Sequence, residues 1–227
     1  PRVFHRIWFG PERRYHVELG TLLAETNPSW TVMDWRADAL ALPWVLPHRD
    51  AIDRALEKGK WSMASDLLRL VILLRMGGLY VDSDVEAVAP VDPVVSGRDP
   101  ILLRETRYTI QNCVLGATAG HPLLRRTLEV AEANVLRHNA VGKACDVTGP
   151  TVLTEAYWRE GGTYGLVPTD AFSPFGWAHV SIAGNTARHR MARGEEPYPE
   201  GTVLVHHSQA FRTNERSRSP VVDQTEV

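Results

Sequence analysis

The segment from Ala64 to Glu86 constrains the fold of this chain more than any other. It reads Ala64-Ser-Asp-Leu-Leu-Arg69, an apolar run to Met76, Gly77-Gly78, then Leu79-Tyr-Val-Asp-Ser-Asp-Val-Glu86. Apolar residues at 63, 67, 70, 71 and 74 form the stripe of a buried helix running from about Trp61 to Met76. The glycine pair allows the left-handed backbone that ends helices. Leu79 to Val81 then reads as a short buried strand, with Asp82 and Asp84 at its exit. Alternate strand residues share a face, so two carboxylates at i and i+2 past a strand end can converge on one hard cation. A cation held in this way can in turn hold a diphosphate. The Asp-x-Asp pair alone is weak, since twelve Asp in 227 residues give roughly 0.6 such pairs by chance; its context carries the signal.

The remaining chain alternates strands and helices. Residues 3 to 9 read as a first strand, Tyr15 to Glu25 as a helix stopped before Asn27-Pro28, and Thr31 to Trp35 as a second strand. Residues 37 to 60 are ambiguous, with Pro43 and Pro47 interrupting a helical pattern that resumes at Ala51. Ile101 to Arg104, Cys113 to Ala117 and Val203 to His206 read as strands, Pro122 to His138 and Pro150 to Glu160 as helices. This order predicts an α/β fold, a mixed and mostly parallel central sheet flanked by helices, with ligands at the carboxyl edge of the strands. Thr213 to Val227 is polar and aperiodic and is expected to be a mobile tail.

Composition excludes classes rather than choosing one. A chain with 44% apolar residues can bury one substantial core, and a single domain is expected. The net charge of -2 gives no long-range attraction to nucleic acid or to an anionic membrane. Cys113 and Cys145 are too few for a disulfide scaffold, and small buried thiols are expected instead. Pro1-Arg-Val-Phe-His-Arg6 has no apolar run of signal-peptide length, and Leu67 to Leu74 falls well short of the roughly 20 residues of a membrane span. The expectation is a cytoplasmic protein with no integral membrane segment.

Motifs along most of the chain resemble one family. Val3-Phe-His-Arg-Ile-Trp-Phe-Gly10, Asn27-Pro-Ser-Trp30 with Trp35, and the Asp66 to Arg69 helix followed by Gly77-Gly78-Leu-Tyr-Val-Asp-Ser-Asp84 stand in order. Asn112, Gly120-His-Pro122, Thr148-Gly-Pro150 and His206-His207 follow. Together they resemble the DXD-containing glycosyltransferases of the Och1-like and capsular-polysaccharide type, glycosyltransferase family 32, related more distantly to the large clostridial glucosylating toxins. The resemblance implies one GT-A domain over residues 1–212, with 213–227 as the tail.

It also implies a division of labour, in which Asp66, Arg69, Asp82 and Asp84 form the catalytic group. Asp84 would bind a divalent metal, manganese or magnesium, directly, and Asp82 would reach it through water while touching the ribose. His206 or His207 would supply a third ligand. His206 is favoured, and an imidazole suits manganese better than magnesium. Asp66 and Arg69 would contact the sugar hydroxyls, and Trp8 would stack on the base. Tyr80, two residues before Asp82 and on its face, could touch the nucleotide. Asn112 and Gly149, in the Thr148-Gly149-Pro150 turn, would line the pocket. Read without the resemblance, Asp66 and Arg69 are an internal ion pair, Trp8 is core, the histidines are a solvated loop, and Asn112 and the turn are structural. Where the family often continues with Ser-Trp, this chain has Ser208-Gln-Ala-Phe-Arg212.

The implied partners are a nucleotide-sugar donor, with UDP or GDP equally compatible, and a glycan, small-molecule or peptide acceptor. Family members of this type transfer with retention, which a front-face reaction achieves without a dedicated enzymic base. Two other readings stand beside this one. Asp82-Ser-Asp84-Val85 also resembles the opening motif of haloacid-dehalogenase-like phosphatases, although that motif normally closes the first strand of its fold. A non-catalytic sugar-nucleotide or glycan-binding module is the third.

Overall fold

The computed structural model describes residues 1–11, 13–167, 171, 198 and 200–207. The main sheet has six strands in the order β2-β1-β3-β6-β5-β7. These are β1 Val3–Ile7, β2 Thr31–Trp35, β3 Gly78–Val81, β5 Ile101–Arg104, β6 Ile110–Ala117 and β7 Leu166–Val167. Three pairings are parallel, β1 with β2, β1 with β3, and β5 with β7; β6 runs antiparallel to both β3 and β5. A second sheet of two short antiparallel strands joins β4 Val85–Ala87 to β8 Leu204–His206.

Helix α1 (Arg14–Thr26) links β1 to β2, and α2 (Arg49–Glu57) leads into α3 (Trp61–Met76). The brief α4 (Asp92–Val95) precedes β5, while α5 (Pro122–His138), α6 (Ala144–Val147) and α7 (Pro150–Arg159) follow β6. The ambiguous 37–60 stretch resolves into two short 3-10 turns, Ala37–Ala41 and Leu46–His48, followed by α2.

Helix α3 is buried more completely than its predicted stripe. Leu68 and Ile72 are as inaccessible as Leu67 and Leu73, because α2 and α5 cover the sides of the helix that the sheet does not. Each fully buried Leu contributes about 1.5–3 kcal/mol through removal of apolar surface from water. Across the sheet, Phe4, Leu23, Leu79, Val81 and Leu204 form the second core. Gly77 and Gly78 stop α3 with φ of 65° and 104°. A Cβ at Gly78 would lie 2.6 Å from the Val3 carbonyl oxygen, so the approach of β3 to β1 requires the missing side chain. His5 reinforces this corner: its Nδ1 accepts from the Trp35 indole at 3.2 Å, which leaves Nε2–H to donate to the Gly77 carbonyl at 2.9 Å.

Several boundaries differ from the sequence reading. β1 ends at Ile7 and β6 begins at Ile110, three residues before Cys113. β4, β7, α4 and α6, of two to four residues each, carry too few positions to show a period. Both cysteines are free, and Cys145 is exposed rather than buried. Among the described residues no helix is long and apolar enough to cross a membrane. The expected tail and the Ser208 to Arg212 segment lie outside the described residues.

Candidate active site

The site begins where β3 runs out. Asp82 N–H continues the ladder by donating to the Cys113 carbonyl at 2.8 Å, and a turn closed by Val85 N–H on the Asp82 carbonyl, 3.0 Å, carries the chain through Ser83 and Asp84 into β4. β8 then returns from the far end of the chain, pairing His206 opposite Val85, and His207 N–H donates to the Asp84 carbonyl at 3.0 Å. His206 Nε2 consequently stands 3.3 Å from Asp84 Oδ1 and 3.6 Å from Asp82 Oδ2.

One ligand atom from each of Asp82, Asp84 and His206 lies within 4.8 Å of the others. Two carboxylates and one imidazole suit a divalent cation of the hard-to-borderline class. Burial opposes charge on His206, but the Cys113 sulfur and the Asp84 carboxylate hold the ring well above the ordinary histidine range. A cation entering here therefore displaces a proton.

A second group of side chains runs from α3 into the first. Asp66 Oδ1 accepts from Arg69 Nη2 and from Asn112 Nδ2, both at 2.9 Å, and Oδ2 accepts from the Thr148 hydroxyl at 2.7 Å. Arg69 Nη1 reaches Asp82 Oδ1 at 3.3 Å and donates to the Asn112 carbonyl at 2.6 Å; its guanidinium lies 4.2 Å from the centre of the Tyr80 ring. Burial pushes the Asp66 carboxyl upward, opposed by Arg69 and by the Thr148 and Asn112 hydrogen bonds. Burial works against the Arg69 charge, and Tyr80, Asp82 and Asp66 more than offset it, so Arg69 stays protonated. Asp66 and Arg69 are thus an internal ion pair, and the same pair is tied to the metal-ligand candidate Asp82.

Tyr80 and His207 each have a partner within the protein. Tyr80 is buried, and its hydroxyl donates to Asp82 Oδ1 at 2.7 Å. It orients that carboxylate. His207 stands outside the three-residue group, because its Nε2 lies 2.8 Å from Glu86 Oε2. Gly149 is a close neighbour of Asp66: a Cβ there would sit 3.4 Å from Asp66 Oδ2 and 3.0 Å from the Cys145 Cα.

Trp8 lies just past the end of β1, which runs parallel to β3, and so belongs to the same sheet edge as Asp82. It is partly exposed rather than core, its indole N–H donating to the Pro11 carbonyl at 2.8 Å and its ring meeting His16 edge-on at 4.1 Å. The sequence reading named the 148–150 turn but not the Thr148 hydroxyl as its working atom, and it missed Glu86 altogether. Neither carries a local pattern that marks it. β1 and β2 precede β3, so Asp82 does not close the first strand, as the phosphatase motif would require.

The family model for the glycosyltransferase sugar-binding region containing the DXD motif matches residues 14–105. Over that stretch the chain is similar to the DXD-containing glycosyltransferases. It is 26% identical over 134 residues to inositol phosphoceramide mannosyltransferase 3 of Schizosaccharomyces pombe, a match covering 55% of this chain and 35% of that protein. Its fold resembles the PaToxG glycosyltransferase, with TM-score 0.60 and 21% identity over 70% of this chain and 69% of the other. It also resembles the UDP-bound glycosyltransferase domain of the YGT toxin, with TM-score 0.57 and 10% identity over 74% and 79%. This is the GT-A architecture. The chain spans only 5% and 35% of the length of the first two curated relatives it matches.

Proposed function

We propose that this domain, residues 1–212, transfers a sugar from a UDP- or GDP-linked donor to a hydroxyl acceptor with the help of a divalent cation. The observation that carries the reading is the convergence of Asp82, Asp84 and His206 at the end of β3, joined through Asp82 to the buried Arg69 and Asp66. The DXD family match and a UDP-bound neighbour of the same fold support a nucleoside diphosphate as leaving group.

Asp82, Asp84 and His206 would hold manganese or magnesium, and the ion, when bound, supplies Lewis-acid neutralisation of charge developing on the diphosphate. Tyr80 and Arg69 fix the Asp82 carboxylate through Oδ1. Asp66, oriented by Arg69, Asn112 and Thr148, is offered to the sugar hydroxyls, and Trp8 offers an indole face to the base at the same sheet edge. With both oxygens already accepting hydrogen bonds, Asp66 is a poor covalent nucleophile. Transfer with retention then follows a front-face course. The bond from the anomeric carbon to the phosphate oxygen breaks, the bond to the acceptor oxygen forms on the same face, and the acceptor proton passes to the departing phosphate. The acceptor class is a glycan, a small molecule or a peptide.

The test is nucleotide release from a panel of UDP- and GDP-sugars with manganese, magnesium or chelator, comparing the native chain with Asp84→Ala. Release from one donor, lost with chelator and with Asp84→Ala, is expected; release indifferent to both contradicts the reading. Asp66→Asn is expected to slow transfer while leaving metal-dependent nucleotide binding intact.

A further inference from the structure

We propose that Glu86 is a positioning residue that sets the strand register delivering His206, and not His207, to the cation site. The inference rests on the reading of Asp82, Asp84 and His206 as that site.

β8 has three residues and forms a ladder of three pairs with β4, extended at its ends by backbone bonds from Val88 and Ala89 N–H to the Val203 carbonyl and from His207 N–H to the Asp84 carbonyl. Strands this short specify register weakly, and a slip of one residue exchanges the faces of every side chain. In this sequence a slip has an unusual consequence, because His206 and His207 are adjacent and either could present an imidazole to the Asp pair. Main-chain bonds alone do not choose between them.

Glu86 supplies the choice. Its Oε2 accepts from His207 Nε2 and from the Tyr198 hydroxyl, each at 2.8 Å. His207 is thereby committed to the opposite side of the ribbon, with its side chain only 4% exposed. Tyr198 and His207 bracket the segment that ends in His206, so a single carboxylate pins both sides of it. Glu86 follows Asp84 by two residues, and the strand that leaves the Asp turn therefore also carries the group that aligns the third ligand. Partners that orient a metal ligand from outside the coordination sphere typically change metal affinity by about 10–100-fold when removed.

The experiment is manganese binding to the whole chain without nucleotide, read from the paramagnetic resonance signal of the free ion. It compares the native chain with Glu86→Ala, Glu86→Gln and His206→Ala, each checked for fold by circular dichroism. Glu86→Ala is expected to weaken binding by about tenfold. Glu86→Gln, whose amide oxygen can accept both hydrogen bonds, is expected to recover to within about threefold of native. Native affinity in His206→Ala overturns the cation-site reading itself. Weak binding in His206→Ala with native affinity in Glu86→Ala overturns the role of Glu86 alone. Should Glu86→Ala fail to fold, Tyr198→Phe and His207→Leu decide, each removing one arm: affinity reduced by about threefold in both supports the register lock, and native affinity in both overturns it.

Discussion

The α3–β3 segment and the β4–β8 ribbon meet at one site and are built in opposite ways. α3 and β3 are contiguous in sequence, buried along the middle of the helix and the whole strand, and fixed by apolar periodicity and a glycine stop. The ribbon joins strands separated by 121 residues at the Glu86–His207 contact, offers only three pairs of residues, and relies on polar side chains for its alignment. Asp66, Arg69 and Asp82 belong to the first construction, His206 to the second. The difference teaches where each kind of damage should register: in the stability of the whole fold for the first, and in the ligand site for the second.

The largest effect is expected from Arg69→Met. It leaves Asp66 buried without its counter-charge and should cost about 3–5 kcal/mol in urea denaturation near neutral pH. The loss should shrink as pH falls and Asp66 takes up a proton. Leu68→Ala, in the part of α3 covered by other helices, should cost about 2–5 kcal/mol by the same measurement. Manganese affinity of the protein that remains folded should change little, which separates packing from ligation. His206→Ala should do the reverse, lowering manganese affinity in calorimetry at least about tenfold while moving the urea midpoint only slightly. If His206→Ala instead destabilised the fold as much as Leu68→Ala, the contrast between the two regions would collapse.

The smallest effect concerns acid. Burial lowers the pKa of His5, against the raising influence of the Gly77 hydrogen bond, so its ring stays neutral in the fold at pH values where the unfolded chain is protonated. The unfolded state then binds more protons, and stability falls as pH drops below the ordinary histidine value, down to the lowered folded one. His5→Gln, which cannot titrate, should flatten the dependence of the urea midpoint between pH 7 and pH 5. An unchanged slope would show that His5 contributes nothing to it.

The legibility of the two regions follows the same division. The bounds of α3 and α5 were readable because each carries enough residues for apolar periodicity and helix stops to show, and those of β2 and β5 from short apolar runs beside turn residues. β3 was readable because Gly77-Gly78 and the Asp pair bracket it. Chemistry at the sheet edge was also legible from Asp82 and Asp84, not from the pair alone but from its place after a buried helix, a glycine stop and a short strand. β4 was not readable, because three residues make no pattern and Val85-Glu86-Ala87 becomes a strand only when β8 arrives. The family resemblance favours His206 over His207, but spacing along the chain cannot choose between adjacent residues, for the choice depends on which face each one takes. Tyr80 was placed on the face of Asp82 from its spacing, but the hydrogen bond it gives that carboxylate could not be read from the sequence. Thr148 stayed hidden because a hydroxyl beside Gly-Pro looks like any turn until Asp66 is brought to it.

The central claim is that Asp82, Asp84 and His206 jointly hold one divalent cation. A crystal of the native chain grown with manganese and UDP, with diffraction recorded on both sides of the manganese absorption edge, tests it most directly. A single anomalous peak within bonding distance of Asp84 and His206, with Asp82 bound directly or through one water, is the expected result. A peak elsewhere, or full occupancy by UDP with no peak among these three residues, would contradict the account.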